Sequence, residues 1–145
     1  MTRRRKGFSL LELVVVIAVL AILAAIAIPQ FDLRPTNAAW YYEQVRSAVR
    51  YAQRAAVAQR RCVFVAVSGA QVALFYGDAS CAITATPVTQ LADGQNYVLP
   101  APAGVIISAA PGTFGFNGLG QPNSAATVTI GSRTIAITQE TGYVQ

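Results

Sequence analysis

Histidine is absent from this chain of 145 residues, and cysteine occurs only twice. Without histidine, neither a hydrolytic Ser-His-Asp triad nor most protein metal sites can form. The carboxylates are scattered along the sequence, with no visible pair to share acid and base roles: Glu12, Asp32, Glu43, Asp78, Asp93 and Glu140. The sequence therefore predicts neither an enzyme nor a bound metal or cofactor.

The two cysteines are Cys62 and Cys81. An even pair in an exported domain indicates a disulfide, because zinc needs four ligands and nothing here supplies the other two. Closing a loop of about 20 residues would stabilise the fold by roughly 3 kcal/mol. A redox-active pair of free thiols stays open as the alternative, although the sequence has no Cys-x-x-Cys spacing.

Charged residues are also scarce, at 12% of the chain against roughly 25% in ordinary soluble domains. The net charge is +5, but four of the eleven basic residues fall in the first six positions: Arg3, Arg4, Arg5 and Lys6. Basic residues beside an apolar segment mark the cytoplasmic side of a membrane span. The net charge therefore indicates topology rather than an anionic partner.

A long apolar run follows these basic residues. Residues 13–28 carry no polar side chain, and the segment counted from Phe8 has 21 residues. As a helix it would be about 31 Å long, which matches the thickness of a hydrocarbon core. We expect a single membrane span, with the basic end on the cytoplasmic side and the rest of the chain outside.

A secretory signal peptide is the alternative interpretation of this run. Ala25-Ile26-Ala27 fits the small-residue cleavage pattern, and cutting there would release a soluble protein that starts at Ile28. The apolar segment is long for such a peptide, and Glu12 lies near its start. Because a carboxylate costs roughly 2.5–3.5 kcal/mol at the bilayer centre and less near the interface, a disposable leader has no reason to carry one.

The segment KGFSLLE, from Lys6 to Glu12, resembles the processing site of type IV pilins and pseudopilins. The resemblance implies that a membrane prepilin peptidase cuts between Gly7 and Phe8 and that the new Phe8 amine is methylated. It also implies assembly into a filament with other pilins or pseudopilins. Pro29 lies where the family often has a proline, which would bend the helix as it leaves the bilayer.

Glu12 acquires a physical role in this interpretation. A carboxylate that leaves water needs a cationic partner, and the nearest new cation is the α-amine of a mature Phe8, on the same or a neighbouring subunit. The resemblance implies that this pair sets the register of each incoming subunit. The alternative is that Glu12 only lies at the level of the lipid headgroups.

A second, amphipathic helix is predicted after a break at Pro35. Thr36 or Asn37 offers an N-cap oxygen, and residues 38–60 contain neither glycine nor proline. The apolar stripe recurs at three- and four-residue spacing: Tyr42, Val45, Val49, Ala52 and Ala56.

Arginines recur along this helix and at its end: Arg46, Arg50, Arg54, Arg60 and Arg61. Together with Arg133 they could bind phosphates or nucleic acid. The sequence favours a solvated face with two cations at the helix C-terminus, because Tyr51 is the only aromatic residue interleaved among them.

The hydrophobic period changes to that of strands after Arg61. Strands are predicted at residues 62–67, 71–76, 97–99, 105–108, 113–116, 127–130 and 134–138. The first two form a hairpin, and residues 84–96 and 109–124 are predicted to be surface loops. The fold class is α+β. Its four parts are a cleaved leader (1–7), a membrane and assembly helix (8–29), a linker with the amphipathic helix (30–61) and a periplasmic β-rich domain (62–145).

Over its whole length the chain resembles the minor pilin branch that includes type II secretion pseudopilin H, the FimT-type proteins and the MSHA-pilus minor pilins. The matching stretches are AVRYAQRAAVAQRR (48–61), FGFNGLGQP (114–122) and IAITQETGYV (135–144). Its cysteines lie mid-chain, unlike those of major pilins, and its turn at 131–134 has one arginine where DNA-binding FimT-type proteins have several. We predict a minor pilin or pseudopilin, with a DNA-binding minor pilin for DNA uptake as the alternative.

Overall fold

The computed structural model describes residues 9–27, 34–90 and 94–145. The chain divides into two compact units, Met1–Leu33 and Arg34–Gln145. The first unit contains one helix, α1 (Leu10–Ala27). The second contains α2 (Arg34–Gln59) and eight strands, β1 to β8.

Helix α2 begins earlier than predicted. It starts at Arg34, so Pro35 lies in its first turn, where a proline is tolerated because the amide it lacks would have no helical partner. Thr36 and Asn37 are therefore inside the helix, and the predicted N-cap is wrong. The helix ends with Arg60 at a φ of 50°, and the amides of Arg60 and Arg61 donate to the carbonyls of Val57 and Ala56. These paired bonds form a Schellman cap.

The predicted apolar stripe of α2 is confirmed except at its first position. Val45, Val49, Ala52 and Ala56 are fully buried. Tyr41 is fully buried too, whereas Tyr42 packs only partly against the core. The Tyr41 hydroxyl donates to the carbonyl of Leu99 at 3.0 Å, so a phenol can occupy this interior position without leaving its polar atom unsatisfied.

The first sheet has five strands, built around the predicted hairpin of β1 (Val63–Ser68) and β2 (Gln71–Gly77). Its order is β3-β2-β1-β6, with β6 at Thr113–Phe116. The outer edge of β2 is shared by β3 (Ile83–Pro87) and β4 (Val98–Pro100). Two short strands thus cover the edge of one longer strand, which leaves less of it open to unwanted pairing.

The second sheet has three antiparallel strands in the order β5-β7-β8. They are β5 (Ile107–Ala110), β7 (Ala126–Ile130) and β8 (Arg133–Ile137). Buried side chains from both sheets join those of α2 in one core, and α2 packs on β1, β6 and β7. The C-terminal segment returns to β8, where Val144 pairs with Ile137.

The two predicted loops are wrong in part. The loop at 109–124 contains the strand predicted at 113–116, which is confirmed as β6. In addition, strand β3 lies largely within residues 84–96, and β5 extends to Ala110, inside residues 109–124. Both strands have mostly exposed or half-buried side chains, and most of their residues are small or polar. They form because neighbouring strands offer backbone partners.

Cys62 and Cys81 form the predicted disulfide, with their Cα atoms 5.4 Å apart. The bond ties the residue before β1 to the turn between β2 and β3. That turn is also held by Asp78, whose carboxylate accepts hydrogen bonds from the Ser80 hydroxyl at 2.7 Å and the Ala82 amide at 2.9 Å. The bond from Ser80, and then that from Ala82, lower the pKa of Asp78, so this carboxylate supports a turn.

Replacing both cysteines with alanine should lower the free energy of unfolding by about 3 kcal/mol, because the disulfide closes a loop with a sequence separation of 19. Urea denaturation followed by circular dichroism measures the change. Reductant should destabilise the wild-type chain by a similar amount and leave the double variant unchanged. A wild-type midpoint that does not move on reduction would contradict the prediction.

Candidate functional site

Glu12 lies in the first turn of α1. The helix begins at Leu10, so Ser9 occupies the N-cap position and Glu12 the third helical position, where the amide of the next residue, Leu13, donates to the Ser9 carbonyl at 3.2 Å. Serine followed three residues later by glutamate is the pattern of a capping box, and a carboxylate is also favoured by the helix dipole there. Glu12 is therefore placed for a local helix-capping role, and its role between subunits stays a prediction.

Apart from Glu12, the side chains described for α1 are apolar. The large ones are exposed, by between 46% at Val16 and 80% at Leu10, and a helix of this kind is normally covered by other apolar groups. Within residues 9–27 and 34–90 and the final described stretch, no helix has the length and hydropathy expected of a membrane-crossing segment. Lys6, Gly7, Phe8 and Pro29 lie outside the described residues, so the processing site and the helix bend stay predictions.

Three of the predicted arginines line one groove of about 760 Å³ between α2 and the C-terminal segment. Arg46, Arg50 and Arg54 form one side, and the opposite side includes Thr141 and Val144. We call this the arginine groove. Sequence spacing predicted the row of arginines, but nothing local predicted the opposite wall.

Each arginine of the groove has a different set of partners. Arg50 donates to the Val144 carbonyl at 3.2 Å, and Arg54 donates to the Arg50 carbonyl at 3.3 Å. Arg46 forms a long ion pair with Glu43 at 3.9 Å. The Arg46 Nε atom is buried and has no hydrogen-bond partner in the described part of the chain, which is costly for a charged donor.

The remaining predicted arginines lie elsewhere. Arg61 stacks on the Tyr76 ring, 3.8 Å from its centroid, and donates to the Gly77 carbonyl at 3.3 Å. Arg133 lies 5.5 Å from the centroid of the Tyr42 ring. Arg60 caps the end of α2. The structure therefore gathers only three of the six arginines, and the other three pack on or cap local structure.

Sequence reasoning missed the residue that holds the C-terminal wall of the groove. The Gln53 side-chain amide donates to the carbonyl of Gly120 at 2.9 Å and to that of Thr141 at 3.4 Å. It thereby connects α2 to a loop and to the C-terminal turn. In the sequence, Gln53 is recognisable only as a polar residue beside the apolar stripe. That signal is weak, because residues at such positions are commonly solvated.

Replacing Gly142 with alanine should lower the free energy of unfolding by about 3 kcal/mol through backbone strain and overpacking. Its φ is +66°, and an added Cβ would lie 2.5 Å from both the Gln53 Nε2 atom and the Gly120 carbonyl oxygen. Gly94→Ala is the matched control, because its φ is +69° but no atom lies within 4 Å of the added Cβ.

The free energy of unfolding of the Gly94→Ala control should fall by only about 1 kcal/mol, because the left-handed backbone is its only source of strain. Urea denaturation of the two variants separates the strain from the clash. Equal losses at Gly142 and Gly94 would show that the close approach of Gln53 and Gly120 contributes nothing.

The described residues offer no group of three His, Cys, Asp or Glu side chains that could hold a metal ion. Of the six carboxylates, Asp32 and Asp93 lie outside the described residues. Asp78 supports the turn beside the disulfide, and Glu43 lines the rim of the arginine groove. The chemical property of the candidate site is therefore that the arginine groove attracts anions.

Comparison with known proteins gives one match to a family model and several to solved structures. A family model described as the prokaryotic N-terminal methylation motif matches residues 2–28. No curated protein sequence matches the chain significantly.

Among solved structures, the type IV minor pilin FimU of Pseudomonas aeruginosa matches with a TM-score of 0.54 and 19% identity, over 77% of this chain and 85% of FimU. The minor pseudopilin EpsH from the type 2 secretion system of Vibrio cholerae matches with a TM-score of 0.58 and 11% identity, over 75% of this chain and 94% of EpsH. At these identities the likeness concerns the fold, and it confirms the predicted α+β class. The chain thus resembles type IV minor pilins and pseudopilins in two respects, an N-terminal methylation motif and a pilin-like α+β fold.

Proposed function

We propose that this protein is a structural subunit, a minor pilin or pseudopilin that joins the filament of a type IV pilus or of a type II secretion pseudopilus. The observation that carries the proposal is the presence in one chain of the methylation motif over residues 2–28 and a pilin-like fold behind it. In this role the protein is not an enzyme, and its chemistry is that of assembly.

Processing would come first in this function. A prepilin peptidase that is also an N-methyltransferase removes residues 1–7, and the mature chain begins with a methylated Phe8. Residues 8–29 then form the membrane and assembly helix, residues 30–61 the linker together with α2, and residues 62–145 the periplasmic domain. Support for this division comes from the position of the motif and from the basic residues before Gly7.

Anchoring in the inner membrane is the second part of the proposal. The exposed apolar side chains of α1 need an apolar environment, either lipid or the helices of other subunits. The Cys62–Cys81 disulfide suits an oxidising compartment such as the periplasm. The same apolar helix can serve both states, since it exchanges lipid for neighbouring helices when the subunit enters the filament.

Fractionation of the native host tests this function. The chain should remain in washed membranes until detergent is added, and a small share should appear with filaments sheared from the cell surface or with the assembled pseudopilus. A chain recovered as a soluble periplasmic protein would contradict the proposal and support cleavage after Ala27.

A further inference from the structure

The arginine groove is a cationic surface that the described chain leaves incompletely paired. Arg46, Arg50 and Arg54 line it against a single carboxylate, Glu43, which is 62% exposed. They lie four residues apart along α2, so at 1.5 Å per residue their backbone positions are spaced by about 6 Å. The groove therefore presents three positive charges in a row along two helical turns.

We propose that the arginine groove docks an extended acidic segment of a neighbouring subunit, an inference that rests on the proposed function. In an extended chain, alternate side chains lie about 6.6 Å apart, close to the spacing of the three arginines. Guanidinium groups bind carboxylates through paired hydrogen bonds. The Arg46 side chain is 29% exposed and lines the groove, so it is accessible to such a carboxylate.

The shape and composition of the groove favour a peptide over a nucleic acid. Proteins that bind single strands combine a long basic track with several aromatic side chains on which bases stack. Among the residues that the structure describes, Tyr143 is the only aromatic residue lining this groove. Arg61 and Arg133 lie against Tyr76 and Tyr42 instead of extending the track.

Fluorescence polarisation of the full-length chain in nonionic detergent tests the proposal. The probe is a labelled peptide of sequence Glu-Ala-Glu-Ala-Glu, compared with Gln-Ala-Gln-Ala-Gln. The test variant combines Arg46→Gln with Arg54→Gln, because Arg50 then still holds the Val144 carbonyl. The matched control combines Arg60→Gln with Arg133→Gln, which removes the same charge outside the groove.

The glutamate peptide should bind in preference to the glutamine peptide. Its affinity should fall about tenfold in the groove variant and less than twofold in the control. Equal binding of the two peptides, or equal losses in the two variants, would overturn the proposal. So would tighter binding of a single-stranded oligonucleotide at the same salt concentration, which would favour the DNA-binding alternative instead.

A photo-cross-linking side chain at Ser47, an exposed residue of the groove, identifies the occupant in cells. It should join an acidic segment of another filament subunit, and the cross-link should be lost with Arg46→Gln and Arg54→Gln. A cross-link that survives these changes, or one to a segment without carboxylates, would overturn the proposal. If the chain fails to bind the peptide but still enters filaments, only the docking proposal is refuted. If the chain is a soluble periplasmic protein, the proposed function is refuted.

Discussion

A Gly7→Phe variant should accumulate in the membrane with its leader attached and should be absent from filaments. A peptidase that cuts after Gly7 must bring its catalytic groups close to the backbone there, and glycine permits this approach because it has no side chain. A phenylalanine ring at the same position would obstruct it. The N-terminal peptide identified by mass spectrometry should therefore contain residues 1–7 in the variant and begin at Phe8 in the wild type.

Gly7→Ala is the matched control for this experiment. Its single methyl group should slow cleavage without abolishing it, so that the mature N-terminus still appears. If the phenylalanine variant were processed as fast as the wild type, cleavage would not occur at Gly7 and the interpretation of the leader would be wrong.

Replacing Glu12 with alanine should leave cleavage intact and reduce filament entry roughly a hundredfold. Removing one partner of a buried ion pair costs about 3 kcal/mol or more, because the other charge is left unpaired. In the assembled filament that other charge would be the α-amine of Phe8. Quantitative mass spectrometry of filament and membrane fractions measures the ratio of assembled to unassembled chain.

The capping position of Glu12 makes a second substitution informative. Glutamine also serves at the third position of a capping box, so Glu12→Gln keeps the local cap while it removes the charge. If the charge sets the register, the glutamine variant should fail to assemble as the alanine variant does. Normal assembly of Glu12→Gln would mean that Glu12 acts on α1 alone.

The parts of the fold that the sequence predicted are those encoded by neighbouring residues. The β1–β2 hairpin and the buried positions of α2 depend on local spacing and turn chemistry. Tyr41 was missed because either of two adjacent tyrosines fits the helical spacing to Val45, and packing against distant residues decides which one is buried. Strand β3 was missed because an exposed edge strand needs backbone partners more than an apolar pattern.

At the candidate site too, the sequence predicted only the features of the arginine groove that neighbouring residues encode. The spacing of Arg46, Arg50 and Arg54 predicted a shared helix face. The groove exists because the C-terminal turn packs against that face, through contacts such as that between Arg50 and Val144 over a separation of 94 residues. No local pattern encodes a contact of this range. Gln53 was missed for the same reason, since its partners Gly120 and Thr141 lie 67 and 88 residues away in sequence.

Mass spectrometry of the N-terminal peptide from native membranes and sheared filaments tests the central claim most directly. The account predicts a peptide that begins at Phe8 and carries a methyl group on its α-amine, in both fractions or in membranes alone. A chain that begins at Ile28, or one that keeps residues 1–7 in every fraction, would contradict it.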